Sequence, residues 1–196
     1  MQKKLFKNAI ALTGGIATGK STVCNILKLY GLLTIDADVI THKLLDKNNI
    51  HIKNMFGDQY VKDSKVLRKE LSKIIFTNQD NKKKLENFIH PLIKDEIILK
   101  SKLFEKANKP YIIDIPLFFE TKSYKIKKTI VVYTPFNIQV ERLIKRDNIN
   151  INQAKQKIKN QMDIEKKRKL ATLCIDNSST IQNLQNEIEK IIKIIL

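Results

Sequence analysis

The chain has 196 residues, enough for one compact core with a smaller inserted subdomain, and 42% of them are hydrophobic, which is ordinary for a globular protein and excludes wholesale disorder. Its net charge of +17 invites a nucleic-acid or membrane-surface reading, but lysine supplies nearly all of it, spread over helical stretches in a chain equally rich in Asn and Ile; that pattern is a compositional bias, not a phosphate-binding patch. No apolar run approaches the 18 or so residues of a membrane span and no signal-peptide-like run opens the sequence, so a cytoplasmic protein without a membrane partner is expected, and Cys24 and Cys174 suggest neither a disulfide nor a metal site.

Residues 8–13 read as a buried strand and 21–30 as a helix stopped by Gly31. Between them GGIATGKS, over 14–21, fits the phosphate-loop pattern G-x-x-x-x-G-K-[ST] and holds three of the five glycines. Glycines let backbone N–H groups converge on phosphate oxygens, Lys20 supplies a point charge for the outer phosphates, and the Ser21 hydroxyl suits magnesium. A nucleoside triphosphate is implied.

Residues 32–35 form a short strand running into Asp36 and Asp38. If the strand continues through them, both carboxylates project to one face, where one holds magnesium through water and the other accepts the acceptor's proton. The alternative is that either Asp caps a helix beginning near Val39. Residues 39–107 show no convincing strand and several helical patterns, among them 64–76 with Ser64 as cap. A longer helix over about 79–106 is expected to kink or divide at Pro91, after His90.

Strand character returns at 111–115, followed by PLFFE at 116–120, and again at 129–133. Asp114, at the end of its strand, is either a magnesium-facing carboxylate or a structural partner of a lysine or an amide. Pro135 ends the next strand, Asn137 opens a helix carrying Gln139, Arg142 and Arg146, and charged helical stretches run on to about Leu170, with Lys166 and Lys167 read as part of a solvated lysine face. Residues 174–175 make a last brief strand, and Ser179 or Thr180 caps a terminal helix with apolar positions at Ile181, Leu184, Ile188, Ile191, Ile192 and Ile195. Strands alternating with helices predict an α/β fold with a mainly parallel five-stranded sheet flanked on both faces.

A phosphate loop alone covers motors, switches, transporters and kinases. No N-K-x-D base-reading element of switch GTPases is present, and a nucleic-acid motor would need a longer chain. A small-molecule kinase fits: it needs a carboxylate near the acceptor hydroxyl and cationic groups that close over the transferring phosphoryl group. Only four arginines occur, and Arg142, Arg146 and Arg168 fall in one stretch, the first two on one helical face, which reads as a closing segment against phosphate charge. His90 contacts an acceptor phosphate or satisfies the helix break. A basic, nucleotide-regulated nucleic-acid binder and another nucleoside or nucleotide kinase are the competing readings.

Six elements, the loop among them, carry a resemblance: LTGGI at 12–16 with GKST at 19–22, IDAD at 35–38, HPLI at 90–93, PLFFE at 116–120, QVER at 139–142 with Arg146 and Asp147, and CIDN at 174–177. In order and spacing, essentially end to end, the chain resembles the dephospho-CoA kinases. The resemblance implies transfer of the ATP γ-phosphoryl group to the ribose 3′-hydroxyl of dephospho-CoA, with magnesium, and no nucleic-acid or obligate protein partner. It implies a P-loop core over 1–38 and 108–196, a helical acceptor domain over 39–107, and a helical lid over 139–172. Asp38, Lys20 and Arg142 carry catalysis in this expectation. Gly15, Ala17, Thr18, Gly19, Lys20, Ser21, Thr22, Arg146 and Asn177 bind the nucleotide. Asp36, His90, Pro116, Leu117, Glu120 and Arg142 meet the acceptor, and Ser21 and Asp36 meet the metal. Ala17 and Thr18 stand where the family commonly has Gly and Ser, and an alanine restricts positive φ. Thr172 and Ser178 are further departures.

Overall fold

The computed structural model describes residues 5–196, which divide into two compact units, one of residues 5–35 with 101–196 and one of residues 36–100.

In the first unit a five-stranded sheet has the order β2-β5-β1-β6-β7, with β1 Ala9–Gly14, β2 Leu33–Asp36, β5 Tyr111–Asp114, β6 Lys128–Tyr133 and β7 Leu173–Asp176. β1 runs parallel to both β5 and β6, and β6 parallel to β7. The central strands read as near-continuous apolar runs because both sheet faces are covered: all of β1 and β5, and all of β6 but its first residue, are buried. The two-residue alternation then sorts side chains to opposite sides. Ile10, Leu12, Ile112, Ile130 and Val132 pack with Val23 and Leu27 of α1 (Lys20–Leu29) and with Leu184, Ile188, Ile191 and Ile195 of α10 (Ile181–Ile195). Val131 and Tyr133 meet Ile164 of α9 (Ile164–Leu170). Between them in sequence, α7 (Phe136–Asp147) and α8 (Ile151–Lys159) pair through Val140, Leu143, Ala154 and Ile158. Thr180 caps α10 by accepting from the Asn183 N–H, as the sequence suggested.

The second unit has its own core, in which Leu45, Ile52, Val66, Leu71 and Ile89 pack together. They come from α2 (Ala37–Lys47), α3 (Asn49–Phe56), α4 (Arg68–Thr77), the greater part of α5 (Gln79–Glu105), and a hairpin absent from the expectation, β3 Val61–Lys62 against β4 Lys65–Val66. Ser64 is therefore no helix cap. It follows Asp63 in a two-residue turn, with φ of 50° and 60°, the pairing that suits a tight hairpin. α4 starts only at Arg68, whose guanidinium pairs with Asp46 at 3.2 Å.

Pro91 does not divide α5, which is one helix of 27 residues. The proline ring removes the bond to the carbonyl of Asn87, four residues earlier, and both residues are exposed, so water can take that carbonyl while Ile89 stays buried. Neither cysteine is in a disulfide. Among the described residues no helix is long and apolar enough to cross a membrane, and no cluster of three or more His, Cys, Asp or Glu side chains stands ready for a metal.

Candidate active site

The loop of residues 14–21 leaves the carboxyl end of the central strand β1 and opens α1, where the first helical N–H groups lack intrahelical partners and carry the positive end of the helix dipole. No acidic residue stands in the first turn of α1 to oppose an anion, and Ser21 and Thr22 there are exposed. Gly19, at φ 85°, is required twice over: its backbone is left-handed, and a Cβ would collide with the side-chain amide of Asn177. Ala17 nevertheless takes φ 61°, in the left-handed region where the sequence suggested that an alanine would resist. Its methyl and Ile16 lie against the α7–α8 cluster, and that packing offsets the strain.

The loop is held by its own Thr18 and by side chains from the segments that follow β6 and β7. Thr18, itself fully buried, bonds back to the Gly15 carbonyl through Oγ1 at 2.9 Å. Its own carbonyl accepts from Asn177 Nδ2 at 2.8 Å and from Thr134 Oγ1 at 3.3 Å. Gln139, almost fully buried, donates to the Thr134 carbonyl at 2.8 Å, and Arg142 donates to Thr134 Oγ1 at 3.3 Å. Asn177 thus underpins the loop through Thr18, and Arg142 stands one hydrogen bond from the same cluster.

Lys20 Nζ lies 2.5 Å from the Asp114 carboxylate at the end of β5. Of the two readings of Asp114, the lysine pair is the one formed. Of the remaining arginines, Arg146 is exposed and pairs with Asp147 at 2.8 Å, which Lys157 also meets at 2.9 Å. Hydrogen bonds from both cations bring the Asp147 carboxyl down to about 2. Arg168 stacks on the Tyr133 ring at 4.5 Å, and Tyr133 donates to Glu165 at 2.5 Å. That bond to a carboxylate, with burial behind it, raises the Tyr133 hydroxyl.

The reading of Lys167 as a solvated residue is wrong. It is fully buried, and its three N–H donors meet three acceptors: the Gly14 carbonyl at 2.9 Å, the Pro116 carbonyl at 3.1 Å and Glu120 Oε1 at 2.8 Å. Burial lowers its pKa against the opposing pull of Glu120, and the charge of Lys20 lowers it further. A signal was present in the sequence: Ile164, Lys167 and Ala171 fall on one helical stripe, which places this lysine on the apolar face of α9. Glu120, expected to face the acceptor, also accepts from the Met162 N–H at 3.1 Å. Thr13 joins Lys167 on the Pro116 carbonyl, and the neighbouring Leu117 is exposed. Gln161, likewise unanticipated, accepts from the Ile16 N–H at 2.8 Å.

Asp36, Asp38 and His90 belong to the second unit. The strand does not continue through both aspartates. β2 ends at Asp36, whose side chain caps α2 by accepting from the Val39 N–H at 2.9 Å, and Asp38 is exposed in the first helical turn. The alternating same-face geometry is thereby replaced by a cap and a first-turn carboxylate, each favourable at a helix N-terminus. His90 is exposed on α5.

Residues 8–183 match the family model described as dephospho-CoA kinase. The chain belongs to the dephospho-CoA kinase family. It is 47% identical to the dephospho-CoA kinase of Sulfurimonas denitrificans, over 96% of this chain and 94% of that one. It is 41% identical to the Helicobacter pylori strain J99 enzyme, over 98% and 100%. The solved dephospho-CoA kinase from Campylobacter jejuni superposes with a TM-score of 0.72 at 36% identity, covering 96% of this chain and 97% of its own.

Proposed function

We propose that this chain transfers the γ-phosphoryl group of ATP to the ribose 3′-hydroxyl of dephospho-CoA, giving coenzyme A and ADP in the cytoplasm. The observation that carries the reading is a loop with left-handed Ala17 and Gly19 that opens α1, the kind of helix N-terminus that suits an anion, in a chain that matches the family from residue 8 to 183.

The backbone amides over residues 15–22 bind the donor's phosphates and Lys20 neutralises the outer ones. Arg142 and Arg146 stabilise charge on the transferring group within a lid over 139–172, and Asn177 serves the nucleotide by holding the loop. Asp38 orients the acceptor hydroxyl and takes its proton late, and a loose transition state asks little basicity of it. Asp36, His90, Pro116, Leu117, Glu120 and Arg142 bind the acceptor, with residues 39–107 as the acceptor domain.

Magnesium fits the donor set. The Ser21 hydroxyl is exposed in the first turn of α1, the cap bond of Asp36 occupies one carboxylate oxygen, and this ion is commonly held by one or two protein oxygens together with phosphates and water. When bound it neutralises phosphate charge. The test is ADP release with ATP, magnesium and dephospho-CoA, run against adenosine and nucleoside monophosphates as acceptors. Turnover that requires dephospho-CoA and falls about 10²-fold in Asp38→Asn is expected for a positioned base; equal turnover on a nucleoside monophosphate would give the site to another acceptor.

A further inference from the structure

Residues 161–167 cross from the end of α8 into α9 and touch the phosphate loop twice, at Ile16 through Gln161 and at Gly14 through Lys167. The two contacts fall on consecutive peptide planes. A trans peptide points its C=O and its N–H in opposite directions. With the Gly14 carbonyl fixed on Lys167, the N–H of Gly15 is directed away from α9. With the Ile16 N–H fixed on Gln161, the Gly15 carbonyl is directed the other way, and there it accepts from both the N–H and the hydroxyl of Thr18, at 3.3 and 2.9 Å. Thr18 in turn is fixed at its carbonyl by Asn177 and Thr134. The orientation of the first half of the loop is thus set by two side chains that are remote from it in sequence.

We propose that Lys167 and Gln161 are positioning residues for phosphoryl transfer, a strap that sets the peptide planes of the phosphate loop and so the directions of the amides that receive the nucleotide. Lys167 suits the task because its ammonium, with no exposed surface, meets the Gly14 carbonyl, the Pro116 carbonyl and Glu120 at once, tying the loop to the turn after β5. The groups facing it are the Glu120 carboxylate and the two carbonyls, with the charge of Lys20 nearby. Neither residue touches substrate in this account; each acts through the loop backbone. The proposal rests on the kinase reading above, and the experiment separates the two.

The variants are Lys167→Met, which keeps length and removes the charge, Lys167→Arg, and Gln161→Leu at a half-buried position that leaves the core intact. For each, the dissociation constant for ADP, the KM for ATP, the KM for dephospho-CoA, kcat and the melting temperature are measured. A strap predicts that Gln161→Leu melts with the parent yet binds ADP at least threefold more weakly, and that Lys167→Met loses tenfold or more in kcat/KM for ATP, in both cases with the KM for dephospho-CoA within twofold. Lys167→Arg recovers part of the loss, because it restores donors to the Gly14 carbonyl. Should Lys167→Met fail to fold, Gln161→Leu decides. Unchanged ADP affinity and unchanged KM for ATP in folded Gln161→Leu, or changes confined to melting temperature in both variants, overturn the proposal. A parent that binds ADP but transfers nothing to dephospho-CoA overturns the acceptor assignment and leaves the binding comparison standing.

Discussion

The two units treat their functional residues differently. In the first, the phosphate loop is over-determined: Gly14, Gly15, Ile16 and Thr18 each have a backbone group bonded to a side chain, and the partners Thr18, Thr134, Asn177 and Lys167 are buried. In the second, Asp38 and His90 are exposed on helices, and the neighbouring Asp36 is held by one cap bond. The loop's geometry is part of what makes the first unit fold, whereas the residues proposed to serve the acceptor lie on the surface of a separately packed core. Substitutions in the loop should therefore move stability and catalysis together, and those at Asp38 should move catalysis alone.

The largest effect is expected at Lys20. Lys20→Met removes the only side-chain charge the loop itself presents, and kcat/KM should fall about 10²- to 10³-fold, the scale of losing one preorganised charge-stabilising donor; steady-state kinetics at saturating dephospho-CoA reads it. Asp38→Asn sharpens the contrast, because its loss in kcat should come with a melting temperature within about 1 °C of the parent, as for an exposed site outside any network. A coincident drop in melting temperature would erase the distinction between the units. Gly19→Ala tests the other side. Forcing a Cβ into φ 85° costs about 1–2 kcal/mol before the collision with Asn177 is counted, so melting should fall by about 2–4 °C per kcal/mol, with weaker ADP binding alongside. The smallest effect belongs to the surface pair of Asp147 with Arg146 and Lys157. Its carboxyl titrates at about 2, below the ordinary 3.8, so its stabilisation is complete above pH 3.8 and is lost as pH falls through about 2. Asp147→Asn should flatten that acid limb by under about 1 kcal/mol in urea titrations, as expected for an exposed pair.

Much of the first unit was legible because its local signals agree. The apolar run of β1, the glycines at 14, 15 and 19, the helix stop at Gly31 and the Thr180 cap each fix local geometry without reference to distant residues. What escaped depended on context or on chemistry that composition disguised. The hairpin over residues 61–66 turns on Asp63 and Ser64 instead of the Asn-Gly or Asp-Gly that announces such turns. Pro91 reads as a break, yet the bond it removes lies on an exposed face. The spacing of Asp36 and Asp38 suits a strand and a helix N-terminus equally, and the cap to Val39 decides. Lys167 was hidden by the abundance of its own kind: in a chain so rich in lysine, the one fully buried among the described residues is identified only by the stripe it shares with Ile164 and Ala171. The roles of His90, Leu117 and Arg146 turn on what the ligands touch, and periodicity carries no information about that.

The pairing of Lys20 with Asp114 bears on turnover. Lys20 is paired with an anion before any ligand arrives, so on the reading proposed above a nucleotide would exchange one negative partner for another, and what Lys20 adds to affinity would be the difference between phosphate and carboxylate, not the whole attraction of either. The same exchange would run backwards as ADP departs, because the cation left behind would have a resident carboxylate to return to, and release would be spared the full cost of stranding a charge.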